Sequence, residues 1–207
     1  MEEPKKKFII EIFRKKDAEE LTAALADPSG KLEIGSAAAL CGAEACAMAL
    51  RGARIAAEQT GEDERMSYLM RNLEKLRSYF VYLIDEDVKG RNILRRAMKE
   101  GDPQKVEAAR EPAAAISDEV ICQSINMLEL VEELCARNVK ESAVYLGSAA
   151  ELALGAIRSA RLCVLSLAQG SCDETYRFVV RRENELRLAE LQPRVDRILA
   201  WVEESLS

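Results

Sequence analysis

Asp87 stands where the chain calls for an apolar residue. Met66, Leu69, Met70, Leu73, Leu76, Phe80 and Leu83 recur at helical spacing, and Asp87 continues their stripe three, four and seven residues after Ile84, Leu83 and Phe80. A carboxylate on an apolar stripe lies near a helix end, pairs with a base such as Arg91 four residues on, or faces a cleft where it could handle a proton. Glu44 and Glu151 break two alanine-rich stretches in the same way. Each could simply face solvent. If both faced one cavity they would form an acid/base pair, with Arg51, Arg54, Arg158 and Arg161 at hand to neutralise them or hold an anionic ligand. Gly35-Ser36 at a helix start is a weak hint of an anion site, and equally an ordinary N-cap.

Other chemistries are excluded outright. The 207 residues contain no histidine, so no Ser-His-Asp or Cys-His nucleophile and no H-E-x-x-H metal site can be built. The six cysteines, Cys41, Cys46, Cys122, Cys135, Cys163 and Cys172, form no C-x-x-C and mostly sit where a small apolar residue would serve. A formal charge of −6 without a basic stripe argues against nucleic acid as a partner, and Lys5-Lys6-Lys7 reads as a solvated end. The short apolar piece Phe8 to Phe13 is no signal peptide, which together with the free-thiol reading points to the cytoplasm. The run Ile34–Leu50 is nearly charge-free but alanine-rich and short, a core helix and not a membrane span.

The elements that must position these residues are all helical. No stretch alternates with period two, and aromatics are only 5%. The spacing predicts a helix over 17–26 capped by Asp17, another over 36–59 with Ser36 as N-cap, and a third over 63–99. A fourth region over 103–137 starts at Pro103 and is interrupted by Pro112; a turn at Asn138 leads to a helix over 140–168. The last helix, 173–205, carries Phe178, Leu186, Ala189, Val195, Ile198 and Val202 as its apolar side, and Pro193 is expected to kink or split it. The expectation is a tail over 1–16 and one all-α domain over 17–207. It is an up-and-down bundle of five or six helices dimerising through helices, with 36–59 and 140–168 central and the amphipathic helices around them.

Three stretches in this order resemble the formiminotransferase-cyclodeaminase and methenyltetrahydrofolate cyclohydrolase family. Leu21 to Leu50 resembles its short helix, turn, Gly-Gly-Gly-Ser motif and alanine-rich helix, the motif appearing here as Glu33-Ile34-Gly35-Ser36. Leu83-Ile84-Asp85-Glu86-Asp87 resembles its Asp-containing segment, and Asn138 through Gly155-Ala156 its Asn-to-Gly-Ala helix, with Lys140-Glu141 at the family's Ser-Asp. The resemblance implies a homodimer, a folate pocket near the helix junctions, no metal and no tightly bound cofactor, a tetrahydrofolate derivative being the substrate. It also implies roles: Asp87 as main catalytic group, Glu141 in place of the family's Asp, and Gly35, Ser36 and Lys140 binding substrate. The reaction would be hydrolysis of methenyltetrahydrofolate, or ammonia release from formiminotetrahydrofolate. The alternatives are a repurposed homodimeric binding or structural paralogue, and a helical adaptor. A cleft bordered by Gly35, Asp87 and Glu141 would favour the enzyme; Ile34 and Glu44 filling it would favour the paralogue.

Overall fold

Aspartates set where most of the helices begin. The computed structural model describes residues 12–207 and contains six α-helices: α1 (Ala18–Ala26), α2 (Ile34–Thr60), α3 (Glu64–Glu100), α4 (Pro103–Cys135), α5 (Ala143–Gln169) and α6 (Glu174–Leu206). Asp17, Asp63, Asp102 and Asp173 precede α1, α3, α4 and α6, and each carboxylate accepts a free backbone N–H of the first turn at 2.6–3.0 Å. α2 has no such residue. Its N-cap position is Glu33, which makes no side-chain cap bond, and Ser36 is the third helical residue and not the expected cap. What satisfies the start of α2 instead is part of the candidate site below.

α2, α3, α4 and α5 pack in sequence order, and α5 closes back onto α2. α6 lies against α5 and touches α4. This is the expected up-and-down bundle with the two alanine-rich helices at its centre. Small residues let the central helices approach closely: a Cβ at Gly42 would stand 2.7 Å from the Phe80 ring, so α3 seats its largest core side chain directly on the α2 backbone. Asn138 adopts the left-handed conformation (φ 55°) that asparagine tolerates, and its Oδ1 accepts the Trp201 indole N–H at 3.0 Å. The turn before α5 thereby fastens the end of α6.

Three expectations change. α4 and α6 run unbroken through Pro112 and Pro193. Both prolines are exposed, and so are Ala108 and Ala189, whose carbonyls lose their helical donor and face water instead. On α6 the core side is Asn184, Leu191, Val195, Ile198 and Val202, while Phe178 (70% exposed) and Leu186 point outward. At about 100° per residue those two stand roughly 240° and 160° round the helix from Val202, so the assumed stripe was not one face. Phe13, inside the stretch read as tail, is buried in a 3₁₀ turn (Phe13–Lys15) whose Phe13 N–H donates to Asp85 Oδ1 at 2.8 Å. The core-helix reading of Ile34–Leu50 does not change: α2 is 27 residues and by length and composition could cross a membrane, and 56% of its apolar window is buried in the bundle. Lys5-Lys6-Lys7 and Phe8 lie outside the described residues.

Candidate functional site

The start of α2 is capped from another helix. Asp87, on α3, is 1% exposed, and its Oδ2 accepts the Ser36 N–H at 2.9 Å. The Ser36 hydroxyl stands 2.9 Å from the same oxygen and 3.1 Å from the Ile84 carbonyl, two acceptors for its one proton. Asp87 therefore does lie at a helix end, but at that of α2 and not of its own helix. A negative group there meets free N–H groups and the positive end of the helix dipole.

Gly35 explains how the carboxylate comes so close. A Cβ at Gly35 would fall 2.1 Å from Asp87 Oδ1 and 2.9 Å from Ser117 Oγ, so only glycine leaves room for the acid. Asp87 Oδ1 is buried with no hydrogen-bond partner among the described residues. Burial pushes the Asp87 carboxyl above its ordinary value of 3.8, against the Ser36 hydrogen bond and the nearby Arg91 charge, which pull it down. The result is a sealed acid with one oxygen fixed and the other unused.

Arg91 does not pair with Asp87 as spacing suggested. Its Nη2 points to Cys163 Sγ at 2.7 Å, and its Nε lies 3.3 Å from Glu33 Oε2. Glu33 also binds Arg95 through Oε1. Ser117, on α4, donates its hydroxyl to Cys163 at 2.8 Å. Burial raises the Cys163 thiol despite Arg91 and Ser117, so it stays a protonated core group. α2, α3, α4 and α5 each contribute to this polar centre. Glu33, Ser117 and Cys163 were not among the expected site residues, and Arg91 was expected only as a pairing base for Asp87. The one available signal was the i, i+4 pair Arg91/Arg95, four and eight residues beyond Asp87 on the same helix.

Gly35, Ser36 and Asp87 are brought together as expected; Lys140 and Glu141 are not. Both are exposed in a 3₁₀ turn (Lys140–Ser142) before α5, and the Ser142 carbonyl lies 3.5 Å from where a Cβ of Gly52 would stand. Gly52 is 17 residues along α2 from Gly35, about 25 Å at 1.5 Å per residue. The cleft expected between Gly35, Asp87 and Glu141 does not exist within one chain, because antiparallel α2 and α5 put the two ends at opposite poles. Ile34 and Glu44 fill no cleft either: both are exposed, as is Glu151. Arg51 stacks on Tyr145 (4.7 Å) and Arg158 binds Gln192 at 2.6 Å, so these two arginines are engaged elsewhere than at a shared cavity. A groove of about 480 Å³ lies between the end of α3 and the start of α4, lined by Ile93, Arg96, Ala97, Lys105, Ala109 and Pro112, and does not reach Asp87.

The chain is an all-helical bundle in which a carboxylate caps the start of the central helix, and comparison with known proteins places that bundle. The formiminotransferase-cyclodeaminase family model matches residues 17–185, and the chain belongs to that family. The crystal structure of formiminotetrahydrofolate cyclodeaminase from Thermotoga maritima superposes with a TM-score of 0.85, covering 93% of this chain and 98% of that one at 21% identity. At that identity the likeness speaks for the fold. No curated protein matches the sequence.

Proposed function

We propose that this protein is a folate one-carbon enzyme that hydrolyses methenyltetrahydrofolate to the formyl form, or releases ammonia from formiminotetrahydrofolate, with Asp87 as its catalytic group. The observation that carries the reading is the Asp87 carboxylate: one oxygen held by Ser36, the other unpartnered beneath Gly35, in a member of this family. The methenyl substrate is an amidinium-like cation. A preoriented carboxylate in a low-dielectric setting stabilises such a cation, and its free oxygen can take a proton from the attacking water. Gly35 and Ser36 then have two duties, fixing the acid and presenting backbone to the ligand. Substrate would approach past Glu33 and the half-exposed Ile34, the lip of α2 just ahead of Gly35.

A homodimer and a cytoplasmic location complete the proposal. The outer side of α2 and α5 carries Ile34 (45% exposed) and Leu162 (57%) among small residues such as Ala37, Ala47 and Gly155, which suits a close helix–helix seam. The thiols act as small apolar groups, Cys46 pushed up to about 12 by burial, which fits a reducing compartment.

The near-complete burial of Asp87 favours a second reading, a repurposed paralogue in which the acid only caps α2. Following the loss of methenyl absorbance with native protein and Asp87→Asn separates the two. The enzyme reading expects Asp87→Asn to lose about 10²- to 10⁴-fold in kcat while staying folded, because Asn still accepts from Ser36. No acceleration by the native protein would leave the paralogue.

A further inference from the structure

Among the described residues, two arginines beside Asp87 share a single carboxylate. The Arg91 side chain is only 11% exposed, and its Nε is buried without an aligned acceptor, 3.3 Å from Glu33 Oε2. Its Nη2 faces a thiol, a poor acceptor for a guanidinium. Arg95, one turn on, takes Glu33 Oε1 and otherwise meets the Asn92 side chain at 3.3 Å and the Gly30 carbonyl at 3.5 Å. Two planar cations with ten N–H donors are thus served by one carboxylate from the chain's own lip, which is about a third exposed. Glu33 has ordinary extended backbone angles (φ −137°, ψ −167°), so no conformational demand keeps it there.

We infer that Arg91 and Arg95 form an anion-binding site at the entrance to Asp87, and that Glu33 occupies it in place of a ligand carboxylate. This rests on the folate reading for the ligand's identity: the anion is the glutamate tail of the reduced folate, and Glu33 leaves the arginines as the tail arrives. The same displacement lifts the lip over Gly35 and Asp87, so binding of the tail and access to the acid are one event. Glu33 is then a built-in competitor that lowers the protein's affinity for its ligand.

The test uses Glu33→Ala, inorganic phosphate and 5-formyltetrahydrofolate. With the carboxylate gone, the nearly buried Arg91 loses its one directly contacting carboxylate and keeps only the more distant Asp87, so E33A melts below the native protein in sodium chloride. Phosphate at matched ionic strength then restores the melting temperature of E33A, leaves that of the native protein unchanged, and fails on E33A combined with Arg95→Gln. E33A also binds 5-formyltetrahydrofolate about tenfold more tightly than the native protein, the gain of removing one competing ion pair. If E33A does not fold in chloride, Glu33→Gln, which keeps the side-chain volume without the charge, carries the same comparison. Phosphate that shifts native and variant melting equally, or shifts neither, overturns the site. Phosphate rescue with no folate binding by any variant keeps the anion site and overturns the folate reading. Equal folate binding by native and E33A without phosphate rescue keeps the folate reading and overturns the site.

Discussion

At the scale of single residues, Asp87 and Gly35 are one unit. Adding a methyl at Gly35 would drive it to 2.1 Å from Asp87 Oδ1, and the acid has no free space to retreat into. Gly35→Ala is expected to cost about 1–3 kcal/mol in urea unfolding, the usual range for overpacking a tight interior, and to lower activity through the displaced acid. A cost within experimental error would show that Asp87 can move freely. The acid also gives a pH signature. Its folded pKa lies above the ordinary 3.8 because of burial, so the native state binds that proton more tightly than the unfolded chain does. Its contribution to stability is therefore complete below 3.8 and lost as pH rises through the folded value. Activity runs the other way, since the base form is required, and kcat/KM should fall as pH drops through that raised value. A pH–rate profile checks the sign, and Asp87→Asn should flatten the corresponding part of the stability curve.

At the scale of elements, the prolines of α4 and α6 test how a long helix tolerates a missing donor. Pro193 is exposed and frees the carbonyl of exposed Ala189. Pro193→Ala restores one helical hydrogen bond at no packing cost and is expected to raise the melting temperature, by a gain on the order of 1 kcal/mol or more. An unchanged or lower melting temperature would mean that the proline's shape is part of the packing of α6. The helices themselves were legible in the sequence because their starts are local: Asp17, Asp63, Asp102 and Asp173 cap within three residues. The α3 stripe was legible for the same reason, a short-range period. The start of α2 was not, since its cap comes from 51 residues away. Asp87 was visible as an anomaly, and Gly35-Ser36 as a motif, but their joining is a tertiary fact. That Lys140-Glu141 stand far from Asp87 within one chain was illegible for the complementary reason: alignment along the chain carries no information on which pole of a bundle a turn reaches.

At the scale of the whole molecule, the proposed homodimer would use the outer face of α2 and α5. Ile34, Val144 and Leu162 remain exposed on helices that are otherwise the most buried of the fold. A large apolar side chain left outside a small-residue face is what a second copy would cover. Native protein is expected to sediment as a dimer, and Leu162→Glu as a folded monomer with unchanged far-ultraviolet circular dichroism. A native monomer at micromolar concentration would remove this face as a seam. The exposed Phe178, Val179 and Leu186 of α6 lie elsewhere, on the first half of a helix whose core contacts fall mostly in its second half.

One turn of α3 also governs the order in which the molecule can assemble. Asp85 accepts the backbone N–H of Phe13 from 72 residues upstream, and Asp87 that of Ser36 from 51 upstream. Two carboxylates two residues apart thus clasp both the first 3₁₀ turn and the leading end of the central helix. Neither clasp can close until α3 has formed, so a chain emerging from the ribosome carries its first described residues and the tip of α2 without these partners. The first described residues and the tip of α2 therefore become native no earlier than α3 does, together with the acid beside them.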